Sequence, residues 1–267
     1  MKLEKKRLIN VIHTLIIAFL FSNCNVFEKF DKGTNPFVKT LTLLFIDRST
    51  TTVTSVLPKD KSTGNVMNTS VYVVFSKVPS NLSTSNFTVS SDGGKTNQVG
   101  TVTISDKVGS FIPTGNFQAN TTYTVTVTGG GISSPYTFTF STNAIVDSTA
   151  PSVSNTNPST GETGIPINAT VTATLSETIA PNSFTSTSLT LTGGINGTVS
   201  LDDQTISFKP SGYYAANTTY AVTLKAGLKD LAGNAMTSTY SWTFTTGTSI
   251  GTSCLYDVSI FNTCFFE

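Results

Sequence analysis

The stretch ANTTYTVTV runs from Ala119 to Val127, and ANTTYAVTL repeats it from Ala216 to Leu224, 97 residues later. That spacing is too long for a solenoid or propeller, whose repeats span roughly 20–50 residues. In each copy a polar turn leads into a run where apolar residues alternate with small or threonine side chains. This pattern is typical of a strand with one buried face. The recurrence therefore indicates two copies of one β domain.

Matching residues extend the repeat well beyond this stretch. At an offset of 100 the pairs are Pro58 with Pro158, Gly64 with Gly164, Asn68 with Asn168, Val71 with Val171 and Ser76 with Ser176. Turn formers such as SDGGK and LDDQ separate strand-like blocks of period two, at about seven strands per hundred residues. The fold class that we predict is all-β, with two tandem antiparallel β-sandwiches of Greek-key topology.

The repeated stretch itself has a specific explanation in such a sandwich. Tyr123 and Tyr220 are the first inward residues after the Asn-Thr-Thr turn of each copy. This position matches the tyrosine corner of Greek-key sandwiches, where the hydroxyl bonds back to the backbone of the preceding loop. We therefore predict one structural tyrosine corner in each domain.

The second copy resembles the bacterial Ig-like domains of the surface-layer-protein (SbsA) type. DSTAPSVSNTNPSTGETGIPINATVTATLSETI is similar to the opening strands of that family, and LAGNAMTSTYSWTFTTG to its closing hairpin. The resemblance covers residues 147–247 well and residues 50–146 less well, since the first copy has GGGISS in place of KDLAGN. It implies stalk, spacer and adhesive modules of bacterial surface proteins, and no catalytic residues.

The N-terminus is typical of an export signal. Basic MKLEKKR precedes the apolar run Leu8–Phe21, and Ser22, Asn23 and Cys24 follow it. This run of fourteen residues fits a signal-peptide core and falls short of the roughly 18 needed to span a bilayer. The end of the run resembles a spirochaetal lipobox, which predicts lipidation of Cys24. An ordinary secretory signal and an uncleaved anchor are the alternatives.

Two cysteines remain in an exported chain, Cys254 and Cys264, within CLYDVSIFNTC. A pair with no other partner is most simply a disulfide, and two free thiols are the alternative. The predicted organisation is a signal peptide (1–23), a lipidated tether with a possible extra strand at residues 37–46 (24–47), Ig-like domain 1 (48–146), Ig-like domain 2 (147–247) and a C-terminal tail (248–267).

The composition and the motifs of the chain argue against several classes of function. The predicted mature chain carries 12 basic and 14 acidic residues without a basic patch, so we expect no nucleic-acid partner. The only histidine is His13, inside the signal, which removes histidine-based nucleophile pairs and histidine zinc sites. No phosphate-cradling loop occurs, and we expect no cofactor.

Carboxylates and tyrosines are the remaining candidates for a site. Asp202 and Asp203 occupy a turn, where adjacent side chains diverge and a catalytic pair is not expected. Calcium candidates are Asp147, Glu177 and Asp230, but no DxDxDG loop is present, so we expect a solvated face without metal. Tyr213 and Tyr214 could stack on sugars, but Tyr214 matches Phe117 of the first copy and is expected in the core.

These observations favour a non-catalytic lipoprotein of the bacterial cell envelope, with the outer membrane or cell surface preferred over the inner membrane. Its Ig-like domains would act as a spacer or as an adhesive module for a protein partner at the envelope or on a host. Its membrane contact would be the N-terminal lipid. The competing class is a calcium-dependent or carbohydrate-binding surface module.

Overall fold

The computed structural model describes residues 50–251, and this part of the chain is all-β. It contains no α-helix, only a 3-10 turn at Pro181–Ser183. Within residues 50–251 no helix has the length and apolar character that crossing a membrane requires. Four sheets form, two in each half of the described chain.

The first half holds nine strands in two facing sheets. One sheet has the order β1-β3-β7-β6 and the other β2-β9-β8-β4-β5. The strands are β1 (Val53–Leu57), β2 (Ser62–Asn65), β3 (Val71–Phe75), β4 (Phe87–Ser91), β5 (Thr96–Asn97), β6 (Gly100–Ser105), β7 (Val108–Pro113), β8 (Thr122–Val127) and β9 (Tyr136–Thr142).

The second half repeats this arrangement with eight strands. Its sheets have the orders β10-β12-β15-β14 and β11-β17-β16-β13. The strands are β10 (Val153–Asn157), β11 (Glu162–Ile165), β12 (Val171–Leu175), β13 (Leu189–Leu191), β14 (Gly197–Asp202), β15 (Thr205–Pro210), β16 (Thr219–Leu224) and β17 (Tyr240–Thr246).

Strand pairing follows the predicted pattern with one exception in each domain. The neighbours are antiparallel apart from β2 with β9 and β11 with β17, which are parallel. The antiparallel expectation was therefore wrong for this one pair in each sandwich. β2 and β11 are short and polar, STGN and ETGI, so they carry no alternation from which their partner could be predicted.

The core of each domain contains three aromatic rings in mutual contact, of which one pair is stacked. Phe140 lies 5.5 Å from Tyr123 at an interplanar angle of 23°, and Phe117 closes the group. In domain 2 the same places are taken by Phe244, Tyr220 and Tyr214, with 5.7 Å between the Phe244 and Tyr220 rings. All six residues of the two trios are at most 4% exposed: Phe117, Tyr123, Phe140, Tyr214, Tyr220 and Phe244.

Each repeated tyrosine also holds the backbone of the loop before it. The Tyr123 hydroxyl oxygen accepts a hydrogen bond of 2.7 Å from the Gln118 backbone N–H. The Tyr220 hydroxyl accepts the equivalent bond of 2.9 Å from Ala215. A threonine completes the contact, because Thr246 Oγ1 donates to the Ala215 carbonyl at 2.6 Å. Both backbone groups of the loop residue therefore have a side-chain partner.

We predict that Tyr220→Phe lowers the free energy of unfolding by about 1–3 kcal/mol, because the Ala215 N–H loses its partner while remaining partly buried. Urea denaturation measures the change. Tyr123→Phe is the matched variant in domain 1 and should cost a similar amount. A change near zero in both variants would contradict a structural role for the hydroxyl.

Candidate functional site

Within residues 50–251 the candidate site lies at the junction between the two domains. The outer face of the sheet β1-β3-β7-β6 carries Tyr72 and Val74, which alternate with inward Val71, Val73 and Phe75 on β3. Tyr72 is 4% exposed, and it forms an apolar cluster with Val108 of β7 and Ala180 of domain 2. Leu57, Val74 and Leu231 pack against this cluster. Domain 2 thus covers the part of this outer face around Tyr72 and Val108.

Polar contacts fix the position of this junction. The Asn68 side chain brackets the linker residue Asp147, donating to its carbonyl at 2.7 Å and accepting from its N–H at 2.9 Å. The backbone N–H of Ser70 donates to the carbonyl of Leu231 in domain 2 at 2.6 Å. These bonds pin the linker to one domain and join the other domain directly to it.

An ion pair also crosses the junction. Lys59 Nζ lies 2.6 Å from Asp203 Oδ2, although the Lys59 side chain is 65% exposed. Exposed pairs contribute only about 0–1 kcal/mol. The apolar cluster and the backbone bond are therefore the larger contributions to docking.

The three calcium candidates converge at this junction. Asp147 from the linker, Glu177 after β12 and Asp230 from the DLAGN loop present carboxylate oxygens within 4.8 Å of one another. Asp230 is 2% exposed, so the expectation of a solvated face was wrong for it. Asn234 holds Asp230 by donating its N–H at 2.8 Å and its side-chain amide at 2.7 Å. Within residues 50–251 no salt bridge to these three carboxylates is recorded.

The crowding of carboxylates changes the protonation of Glu177. Burial, together with the charges of Asp230 and Asp147, raises the pKa of Glu177 from 4.5 to about 7, and burial is the largest cause. A carboxyl with a raised pKa holds its proton in the folded protein. Near neutral pH the Glu177 carboxyl is therefore partly protonated in the folded protein.

We predict that this group makes the protein less stable as the pH rises. The folded protein binds a proton more tightly than the unfolded chain, so the contribution is full below about pH 4.5 and is lost between pH 4.5 and pH 7. Between pH 4.5 and pH 8 the free energy of unfolding should fall by about 1–3 kcal/mol less in Glu177→Gln than in wild type. Urea denaturation in EDTA across this pH range measures the difference. An identical pH slope in Glu177→Gln and wild type would contradict the prediction.

The exit from domain 2 repeats only part of the junction. Asn168 brackets Gly251 with bonds of 2.8 and 2.7 Å, as Asn68 brackets Asp147. Gly251 has no side chain to offer, and the outward residues of β12 are Thr172 and Thr174. The second copy therefore keeps the asparagine bonds to the segment that leaves the domain. It lacks the apolar outward face that the first copy uses for docking.

The other predicted site residues are placed separately. Asp203 is held by Lys59 and by Thr178 Oγ1 at 2.5 Å, which gives it a structural contact. Tyr214 is buried in the core as predicted, whereas Tyr213 is 63% exposed. Cys24, Cys254, Cys264 and the segment 37–46 lie outside the described residues.

A cleft of about 620 Å³ lies beside the docked surfaces. Val74 and Val108 line it from domain 1, and Phe184 and Leu201 from domain 2. Sequence reasoning did not identify this cleft or the docking face. The available signal was β3, where VYVVF is apolar throughout while its counterpart VTATL alternates.

Several solved structures resemble the chain at low sequence identity. The S-layer protein rSbsC(31-844) shares 15% identity over 79% of this chain and 27% of its own, with a TM-score of 0.30. Titin domains z1z2 in complex with telethonin share 12% over 78% and 100%, with a TM-score of 0.26. An L,D-transpeptidase from Mycobacterium smegmatis shares 17% over 37% and 41%, with a TM-score of 0.29, so the chain spans less than half of that protein.

No curated protein matches the chain. A family model does, and it matches twice. The model described as bacterial Ig-like domain covers residues 47–142 and again residues 147–246. The two matches coincide with the two sandwiches and include both repeated stretches. The chain therefore belongs to the bacterial Ig-like domain family, of which it carries two tandem copies.

Proposed function

We propose that this chain is a lipid-anchored protein of the bacterial cell envelope, whose paired Ig-like domains act as a spacer or adhesive module. The observation that carries the proposal is the docked junction between the domains. A spacer has to transmit position from one end to the other, which a freely jointed pair cannot do. Burial of Tyr72 and the Ser70–Leu231 bond supply a fixed joint.

The carboxylates of the described residues support a non-catalytic role. Asp203 is engaged by Lys59 and Thr178, and Asp230 is 2% exposed beneath the junction. A hydrolytic pair needs two carboxyls that face an open substrate site. Asp203 is engaged by its two partners and Asp230 is buried, so these two carboxylates do not form such a pair, and the chain has no histidine beyond His13.

We predict that Cys24→Ser abolishes palmitate labelling and moves the protein out of the detergent-extracted membrane fraction. A cysteine with several acyl chains anchors firmly, whereas a protein without them has no comparable hold. Labelling with palmitate, fractionation and protease treatment of intact cells measure anchoring and exposure together. Cys254→Ser is the matched control and should leave the labelling unchanged. A Cys24→Ser protein that remains membrane-bound and unprocessed would contradict the anchor.

The second candidate function is a calcium-dependent joint, favoured by the convergence of Asp147, Glu177 and Asp230 within 4.8 Å. Carboxylate oxygens are the ligands that Ca²⁺ takes, at six to eight per ion, of which these residues supply part. A bound cation would replace the proton on Glu177 and cancel the repulsion among the three charges.

One titration separates the two candidates. If the tandem is a metal-free spacer, we expect millimolar calcium to shift its melting temperature by no more than about 2 °C, because a mostly empty site adds little stability. If the junction depends on calcium, we expect the melting temperature to rise by many degrees, and this rise to be lost in Asp147→Asn and Asp230→Asn. A glycan array with Tyr213→Ala as control tests the carbohydrate-binding alternative, for which the spacer expects no retention.

A further inference from the structure

Strand β6 is an open sheet edge without the features that usually guard one. It is the outermost strand of β1-β3-β7-β6. Proteins protect such edges with charged residues, proline or bulges. Residues 96–105 contain no charge and no proline, and β6 pairs with β7 over six residues without a shift in register. Nothing in the strand itself prevents another strand from pairing with it.

The backbone groups at this edge can be assigned from the register. The Thr114 N–H bonds to the Val99 carbonyl, so the alternation of an antiparallel ladder directs Thr101, Thr103 and Ser105 toward β7. The N–H and C=O groups of Gly100, Val102 and Ile104 then point away from the sheet. Within residues 50–251 no hydrogen bond outside the sheet is recorded for these groups.

Apolar side chains surround this edge. Val99 is 77% exposed, and Ile104 and Ile112 are each 42% exposed. Ile112 lies on β7 directly opposite Thr101 of β6, and domain 2 does not cover it. A strand added at the edge would pack against these side chains while completing the ladder.

The equivalent edge of domain 2 provides the comparison. Strand β14 also ends its sheet, in the order β10-β12-β15-β14. Lys209 occupies the position of Ile112, opposite Thr198, and Asp202 ends the strand. The second copy therefore carries charges that the first copy lacks at the same places.

We propose that β6 pairs antiparallel with β6 of a second copy of this chain, joining two four-stranded sheets into one. An uncharged strand pairs with itself without placing like charges opposite each other. Lys95 precedes the uncharged stretch, and the turn that follows it carries both Asp106 and Lys107. Antiparallel pairing brings the Lys95 end of one copy to this turn of its partner, where Asp106 offers an opposite charge and Lys107 leaves the turn without net charge.

The contact between the two β6 strands is small. The fraction of paired molecules therefore depends on the local concentration of the protein. A single edge pairing lies at the low end of interface sizes, where complexes are weak and transient. The proposal deepens the spacer function and rests on it in one respect, since anchoring many copies to one surface raises their local concentration. The pairing itself is a property of domain 1 and is measurable without a membrane.

The experiment is sedimentation equilibrium of the full chain in density-matched detergent, from about 10 µM to 1 mM, which brackets the weak affinity of a small interface. Val102→Pro removes one outward N–H and leaves the bonds to β7 intact. Val199→Pro makes the same change in β14. Ile112→Lys places at the edge the residue that the second copy has there.

We expect a dimer in wild type and in Val199→Pro, and association weakened about ten-fold or more in Val102→Pro and Ile112→Lys. Ile112→Lys changes an exposed side chain, so it keeps the test valid if Val102→Pro unfolds. A wild-type chain that stays monomeric throughout, or equal association in all four proteins, would overturn the proposal. Because detergent replaces the membrane, loss of the Cys24 anchor cannot produce either result.

Discussion

Replacing Tyr72 and Val74 together by threonine is expected to uncouple the two domains. These are the residues that the second copy carries at the same positions, Thr172 and Thr174, and within residues 50–251 nothing docks on that face. Tyr72 is 4% exposed and Val74 is partly buried against the junction cluster. Fully burying side chains of this size contributes about 1.5–3 kcal/mol each, so the double change should remove about 2–5 kcal/mol of docking energy.

Differential scanning calorimetry of residues 47–251 measures this effect. Wild type should unfold in one cooperative transition, because docking couples the domains, and the double variant should show two. Tyr136→Thr is the control, since it removes a tyrosine that is 37% exposed on the other sheet of domain 1. A single transition in the double variant, unchanged in temperature, would show that the junction cluster does not hold the domains together.

The second large effect is expected in the core of domain 2. Phe244→Ala should lower the free energy of unfolding by about 3–5 kcal/mol, the usual cost of removing a buried phenylalanine. Phe244 is fully buried, and both tyrosine rings of its trio lie 5.7 Å from it. The cavity would therefore open beneath the tyrosine that holds the preceding loop.

Phe140→Ala is the matched change in domain 1, where the ring contacts Tyr123 and Phe117 at 5.5 and 5.6 Å. Tryptophan fluorescence reports only on domain 2, because Trp242 is the sole tryptophan. Urea unfolding followed by fluorescence and by circular dichroism should show the larger fluorescence shift in Phe244→Ala. Equal and small shifts in both variants would mean that the aromatic trios are not the centres of the two cores.

The repeated parts of the fold could be predicted from the sequence. Alternation of apolar and threonine residues indicates a strand by itself, and a tyrosine after an Asn-Thr-Thr turn indicates which loop it faces. The parallel strands β2 and β11 could not be predicted in this way. They are four residues long and polar, and their pairing is decided by tertiary contacts that local sequence does not encode.

The candidate site was only partly predictable. Asp147, Glu177 and Asp230 were identifiable as carboxylates near predicted turns, but they lie 30 and 53 residues apart along the chain. Their convergence depends on the position of the linker against two loops of domain 2. That position is set by Asn68 and by the docked face of domain 1. Solvation was therefore the default expectation, and it was wrong for Asp230.

The docking face carried a signal that only the comparison of the two copies reveals. The apolar sequence of β3 indicates a strand that is buried on both faces, but taken alone it does not say what covers the outer face. Set beside VTATL, the sequence VYVVF differs at its outward positions, Tyr72 and Val74. The inward positions remain apolar in both copies, whereas only the first copy is apolar on the outward face as well. That difference indicates a partner on the outward face, and in this chain the partner is domain 2.

The central claim is that the two Ig-like domains are docked into one unit, as a spacer requires. Backbone ¹⁵N relaxation of residues 47–251 in EDTA tests it most directly, because docked domains tumble together and jointed domains do not. The account predicts one rotational correlation time for the amides of both sandwiches, and two shorter ones in the Tyr72 and Val74 double variant. Two distinct correlation times in the wild-type chain would contradict the docked junction.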